Sequence, residues 1–260
     1  MTGFAQYHDR IVYGYNTRKG GVSKGVYATM NLSLAMPDDP ECVRQNFEIW
    51  CGSLGVKTED TVMIHQTHSA NVIRVGLENR GQGLFRERIE GVDGMVTDCK
   101  GLALITSHAD CVPLYFYDPV REAIGMTHAG WRGTVACIAA NTVRKMAEEF
   151  GSDPKDVVTR IGPCISQKYF ECDRDVIDAV EAMPTDGSGT WFYREETGKY
   201  HVSLADLNAL VLQDAGILPE HIDRADACTY ANADLYFSHR RQGRNRGGQA
   251  ALLMMKRNEA

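Results

Sequence analysis

Apolar residues along this chain fall into short runs cut by Gly, Pro, Asp and Asn, with a few longer stretches at helical spacing between them. The first run, Ile11-Val12-Tyr13-Gly14-Tyr15, predicts a strand leading into the basic, glycine-rich segment 16–25. Pro37-Asp38-Asp39-Pro40-Glu41 is a helix start, and 41–54 carries Val43, Phe47, Ile49 and Trp50 as an apolar helical face. A strand is expected at 61–64, strand-like flanks surround His65 and His68, and 77–90 is polar enough to read as a loop. Short strands follow within 91–98 and at 102–106. The densest pattern runs from Thr106 to Thr134, where two apolar runs, 112–117 and 123–127, flank the turn signal Asp118-Pro119. They predict a hairpin with Cys111 at the start of one strand and His128 at the end of the next. In an antiparallel pair those positions are neighbours, so both side chains face one pocket.

Beyond the hairpin, Val135, Ile138, Ala139, Thr142, Val143 and Met146 repeat at helical spacing, which predicts one helix over 134–150 with Gly151 as its stop. A strand at 156–162, helices at 173–183 and 206–216, the latter preceded by Tyr200-His201-Val202-Ser203-Leu204, a short strand ending at 227–229, and a closing strand at 250–256 complete the reading. No repeat, low-complexity tract or linker interrupts the chain, so a single domain over 1–260 is expected.

Composition narrows the class. At 260 residues, 43% hydrophobic and 24% charged, the chain is an ordinary globular protein able to bury its own core. Its net charge of −6 argues against a chain built to grip nucleic acid. The eight cysteines lack the dense spacing of a disulfide scaffold, and no CxxC pair occurs. Residues 1–10 do not form a signal peptide and no apolar run is long enough to span a membrane, so a cytoplasmic protein with reduced thiols is expected.

A thiol beside an imidazole either binds zinc or forms a nucleophile with its base. One cysteine without a second suits zinc with three protein ligands and an open position, the arrangement of catalytic sites. The third ligand would come from His65 or His68. In strand-like flanks, positions three apart face opposite sides, so only one is expected in the site, and spacing does not choose between them. Asp110, directly before Cys111, would point to the opposite face of a strand, so one of the two must account for its burial. After His128, the sequence Ala129-Gly130-Trp131-Arg132-Gly133 at a helix start offers close backbone approach, N–H donors, and an arginine able to clamp a phosphate or carboxylate. The segments holding Arg18 and Arg240 are further anion candidates, although a surface turn is the plainer reading of 16–25.

Taken together, Thr17-Arg18-Lys19-Gly20-Gly21, Asn31-Leu32-Ser33-Leu34, Gln66-Thr67-His68-Ser69, Asp93-Gly94-Met95-Val96-Thr97, Ala109-Asp110-Cys111-Val112-Pro113, His128-Ala129-Gly130-Trp131-Arg132-Gly133, Ile161-Gly162-Pro163-Cys164 and Phe237-Ser238-His239-Arg240-Arg241 resemble the family first labelled multicopper polyphenol oxidase (laccase). Its bacterial members are also called peptidoglycan editing factor. The resemblance implies an α+β fold with mixed sheets in central layers flanked by helices, an α/β/β/α-like arrangement. It implies zinc held by His68, Cys111 and His128, with His65 at most a neighbour. It further implies a purine nucleoside phosphorylase acting on adenosine, inosine, guanosine and 5′-methylthioadenosine, with adenosine deamination as a second activity. Purine nucleosides and phosphate are then the partners, without nucleic acid or membrane, and the protein a monomer or homodimer. Asp110, Cys111 and His128 are the expected catalytic residues, and Arg18, Asn31, Arg132 and Arg240 the expected substrate and phosphate contacts. Two positions depart from the family's usual residues: Cys172 where valine is usual, and His239 where tyrosine is common.

Two rival readings stay open. One is a cysteine hydrolase of amide or peptidoglycan-type substrates, with Cys111 as nucleophile and His128 as base. The other is a non-catalytic module that a metal stabilises and whose surface binds a partner.

Overall fold

Every side chain from Val112 to Asp118 is buried, and the run alternates between two cores, with Leu114 and Phe116 on one side and Tyr115 and Tyr117 on the other. A strand apolar on both faces must lie between two packed layers. The computed structural model, which describes residues 3–257, builds those layers. The expected domain span reaches Met1, Thr2 and 258–260, which lie outside the described residues.

In chain order the strands are β1 (Ile11–Tyr15), β2 (Thr61–His65), β3 (Val72–Arg74), β4 (Ile89–Glu90), β5 (Gly94–Thr97), β6 (Ala103–His108), β7 (Val112–Asp118), β8 (Ala123–Ala129), β9 (Val158–Ile161), β10 (Glu171–Cys172), β11 (Trp191–Arg194), β12 (Lys199–Val202), β13 (Ile222–Arg224) and β14 (Gln249–Met255). The helices are α1 (Pro40–Ser53), α2 (Trp131–Val135), α3 (Ile138–Phe150), α4 (Arg174–Glu181), α5 (Leu204–Asp214) and α6 (His239–Gln242). A five-stranded sheet, ordered β1-β14-β6-β2-β4, faces a six-stranded sheet, ordered β13-β9-β7-β8-β5-β3. Both are mixed: β2 runs parallel to β6 and β3 parallel to β5, while the β7–β8 pair is antiparallel.

Three cores follow from the period-two alternation of side chains. Val62, Leu104, Leu253, Tyr115 and Met126 fill the space between the sheets. On the outer side of the five-stranded sheet, Met63, Ile105 and Leu252 pack against Val43, Phe47 and Trp50 of α1. On the outer side of the six-stranded sheet, Leu114, Phe116 and Val96 meet Val143 and Met146 of α3 and Leu212 of α5. The result is the expected α+β arrangement of helix, sheet, sheet and helix layers. The predicted hairpin is present as β7–β8, and Asp118 holds its turn by accepting from the amides of Val120 and Arg121.

Several expectations need correction. Ile49 does not belong to the core face of α1; it is 44% exposed, and Asn46 and Cys51 are buried in its stead. Asn46 earns that position by hydrogen-bonding the 22–31 loop, donating to Ser23 Oγ and the Asn31 carbonyl and accepting from Val22 N. The single helix expected over 134–150 is two, α2 and α3, because Cys137 takes a left-handed conformation at φ 56° and breaks the ladder. Apolar periodicity does not register a one-residue break. The segment 77–90 is not all loop, since β4 adds a parallel strand beside β2. The small β10-β12-β11 sheet was not expected, because Phe192 and Tyr193 of β11 are exposed and lack the alternation of a buried strand. Strand pairing near the expected 227–229 strand is carried by β13, and Cys228 makes a lone bridge to Cys164.

These placements predict a contrast on α1. Phe47→Ala should lower the unfolding free energy by about 3–5 kcal/mol, and Ile49→Ala should change it by less than about 0.5 kcal/mol. Urea unfolding of the two variants checks it.

Candidate metal centre and its two clefts

At one end of the sandwich the chain passes three times from the five-stranded to the six-stranded sheet, after β2, after β4 and after β6. His68 lies in the first passage and Cys111 in the third, while His128 stands near the end of β8. The first passage is anchored by Gln66, whose side-chain amide donates to the Ser107 carbonyl at 2.8 Å and accepts from Ser107 N at 2.7 Å. It thus prolongs the β2–β6 pairing through a side chain. His68 and Asp110 both have positive φ, 61° and 84°, a conformation non-glycine residues hold only when their surroundings over-determine it.

These turns bring the three expected metal-binding side chains together. The ligand atoms of His68, Cys111 and His128 lie within 4.8 Å of one another, and Cys111 Sγ is 3.9 Å from His68 Nε2. His65 is not part of the cluster; it lines a cleft beside it and is hydrogen-bonded to Glu90.

The residue that organises the cluster is Asp93, for which motif reading supplied no role. It is fully buried, and its Oδ1 accepts from His128 Nδ1 at 2.8 Å. Because a carboxylate only accepts, His128 carries its proton on Nδ1 and turns Nε2 to the cluster. The same carboxylate accepts from the amides of Thr67, His68 and Ser69 and from Ser69 Oγ, fixing the turn that presents His68. The available signal was a charged residue between apolar strands, since a buried carboxylate has to be paired.

Electrostatics run along this array. Burial pushes the Cys111 thiol up, but the charge and hydrogen bonds of His128 and His68 outweigh it and hold the thiol below its usual range. For His128 burial lowers the pKa, and the Cys111 thiolate and Asp93 raise it further than that. His108, a buried neighbour, is held neutral chiefly by burial; its Nδ1 donates to the Cys111 carbonyl and its Nε2 accepts from Thr106 Oγ1.

Two imidazoles and a thiolate, one imidazole braced by a carboxylate, suit a metal with an open position. Gly130 supports this fit, because a Cβ there would come within 2.6 Å of His68 Cδ2 and 3.2 Å of Cys111 Sγ. The space at the cluster exists because that residue has no side chain.

The other expected site residues separate. Asp110 is not in a strand but in the turn before β7, and its carboxylate accepts from Thr229 Oγ1, Ser238 Oγ and Arg240 N. Arg240 and Arg132 line a cleft of about 490 Å³ that opens on the cluster. Arg240 donates to the carbonyls of Tyr169 and Glu171, and Arg132 lies over Trp131. Arg18 and Asn31 line neither cleft: Arg18 donates to the carbonyls of Ala28 and Ala233 and stacks on Phe237. Asn31 is fully buried, donating to Asp38 and accepting from the amides of Ser33 and Gly248. A second cleft, of about 260 Å³, reaches the cluster past Ser33, Arg88, Ser107 and Arg246. Neither Arg88 nor Arg246 stood out in the sequence.

A family profile described as multi-copper polyphenol oxidoreductase laccase matches residues 12–256. The chain belongs to that family. Among its relatives, purine nucleoside phosphorylase YlmD of Bacillus subtilis (strain 168) is 34% identical over 255 residues, covering 96% of this chain and 91% of that one. A protein of Bacteroides thetaiotaomicron named purine nucleoside phosphorylase is 37% identical over 238 residues, covering 91% and 88%. The crystal structure of the Bacillus licheniformis hypothetical protein YfiH superposes with a TM-score of 0.93 at 33% identity, covering 96% of this chain and 94% of that one. This member of the laccase family has one group of three or more metal-capable side chains among the described residues. Multi-copper chemistry requires several such groups, so the family's label and this chain's donor set disagree.

Two predictions follow from the geometry of the cluster. Asp93→Asn should weaken affinity for added zinc by about 10–100-fold, as read by competition with a chelator. Gly130→Ala should abolish stoichiometric zinc binding in the same assay while leaving the far-ultraviolet circular dichroism spectrum unchanged.

Proposed function

We propose that this protein is a zinc-dependent purine nucleoside phosphorylase that cleaves adenosine, inosine, guanosine and 5′-methylthioadenosine, with adenosine deamination as a side activity. The observation that carries the reading is the convergence of two clefts on His68, Cys111 and His128, in a family whose curated relatives bear that name. In phosphorolysis a phosphate oxygen forms the bond to C1′ of the ribose, the C1′–N9 bond breaks, and its electron pair leaves with the purine, which takes up a proton. His68, Cys111 and His128 would hold the zinc, which when bound would supply Lewis-acid polarisation.

The chain's own residues do the rest in this reading. Asp93 keeps His128 in one tautomer and fixes the His68 turn. Asp110, expected as a catalytic group, acts by joining the Cys111 turn to Ser238 and Thr229. Trp131 and Phe170 offer apolar faces to the base in the larger cleft, where Arg132 and Arg240 also stand. Purified protein incubated with inosine should release hypoxanthine only when phosphate is present, as read by chromatography. Release without phosphate would overturn the phosphorylase reading.

One observation favours a second reading. Cys111, His128 and Asp93 stand in the order of a nucleophile, base and orienting acid, and the thiol is held below its usual pKa. A cysteine hydrolase would need no metal. Protein purified without added metal should carry about one zinc per chain, lost on Cys111→Ala; metal-free protein that is fully active on an amide substrate would favour the hydrolase.

A further inference from the structure

Two substrates must meet at one ribose carbon, and the two clefts share four lining residues, His68, Ala109, Cys111 and His239. The clefts differ sharply in charge. The larger is lined by four carboxylates, Asp110, Glu171, Asp173 and Asp175, against Arg132 and Arg240, along with Trp131 and Phe170. Asp110 is engaged with Thr229, Ser238 and Arg240 N, and Asp173 with Lys199. The carboxylates that remain, Glu171 and Asp175, make this cleft less favourable to a multiply charged anion than to a neutral, hydroxyl-rich sugar bearing a flat base. The smaller cleft has no aspartate or glutamate among its described lining residues, and it carries Arg88 and Arg246. The carboxylates bonded to its lining histidines, Asp93 and Glu90, are engaged with His128 and His65.

The arginines of the smaller cleft also keep donors free. Among the described residues Arg88 makes no side-chain hydrogen bond or ion pair. Arg246 gives Nη1 to the Gly247 carbonyl and directs Nε towards His239 Nδ1 at 3.5 Å, and its Nη2 has no described partner. Burial works against the charge of Arg246, offset by Asp110 and Cys111. A guanidinium with spare donors, partly withdrawn from water in a cleft without a carboxylate among its described lining residues, is a receptor for a tetrahedral oxyanion. The hydroxyl of Ser33 and the imidazole of His239 are further polar groups on the same wall.

Resting on the phosphorylase reading, we infer that the smaller cleft is the inorganic phosphate compartment, with Arg246 and Arg88 as its binding residues, and that the larger cleft takes the nucleoside. This moves the phosphate contact away from Arg18, Arg132 and Arg240, where sequence motifs had put it. It also gives His239 a position between the two substrates.

The test is equilibrium dialysis of the zinc-loaded protein against radiolabelled inorganic phosphate, with steady-state inosine cleavage measured alongside. A charge-assisted contact contributes roughly 1.5–3 kcal/mol, so Arg246→Ala and Arg88→Ala should each weaken phosphate binding by about 10–100-fold. Arg246→Lys should fall between, because it keeps the charge and loses the fork. Arg132→Ala should stay within about twofold of the parent. In the kinetics, the KM for phosphate should rise in the Arg246 and Arg88 variants while that for inosine changes by less than about threefold. Arg88→Ala guards against misfolding, since that side chain holds nothing together; melting curves identify any variant that fails to fold.

Loss of phosphate binding in Arg132→Ala or Arg240→Ala with retention in Arg246→Ala and Arg88→Ala would overturn the inference. So would a parent protein that does not bind phosphate below about 10 mM. Arginine-dependent phosphate binding without inosine cleavage would sink the phosphorylase reading and leave the compartment standing. Inosine phosphorolysis indifferent to Arg246 and Arg88 would do the reverse.

Discussion

The buried carboxylate of Asp93 is the interaction on which the candidate site depends. An unpaired charge at that depth is strongly unfavourable, several kcal/mol even after relaxation. Asp93 is tolerated because donors surround it: three consecutive amides and a hydroxyl from the 67–69 turn, and the Nδ1–H of His128. Those donors come from the first passage between the sheets and from β8 of the six-stranded sheet. One side chain therefore sets the position of His68 and the tautomer of His128 together. Removing it would leave both imidazoles without a defined direction.

The site lies where the two sheets exchange the chain. Within a strand, neighbouring side chains diverge to opposite faces, so a regular sheet cannot gather three ligands from consecutive elements at one point. Here two irregular turns do so, each containing a non-glycine residue at positive φ, and each held by side chains acting as backbone partners. Gln66 does this for the first turn and Asp110 for the second. The strain at His68 and Asp110 is of the order of 1–3 kcal/mol each, and it is sustained by the paired sheets on either side.

The family's label and its relatives' names point to different chemistries. A single thiolate-and-imidazole group gives a multi-copper oxidase too few ligands, whereas it fits one zinc with an open position. Arginines and carboxylates around the clefts further suit a polar, partly anionic substrate pair, where a phenol oxidase has no evident use for them.

By itself the local pattern of the sequence determined most of the elements, and the family resemblance implied their layers. The segments 112–117 and 250–255 are apolar at every position, which requires burial on both faces, as the two stacked sheets and their covering helices provide. The β7–β8 hairpin and the approach of Cys111 to His128 were legible because turn signals and alternation are local. The choice of His68 over His65 came from motif resemblance, since spacing is silent about which side of an irregular turn faces a pocket. What only the tertiary structure decided depends on contacts between distant segments. Asp93 meets His128 and the 67–69 turn, Arg18 is taken up by carbonyls across the chain, Asn31 is buried in a loop, and Arg88 and Arg246 come to one wall from opposite ends of the sequence. The break at Cys137 also belongs here, because a single left-handed residue leaves the apolar spacing unchanged. Local pattern records which faces are buried, and the pairing of polar groups across the fold is set by geometry that no short stretch contains.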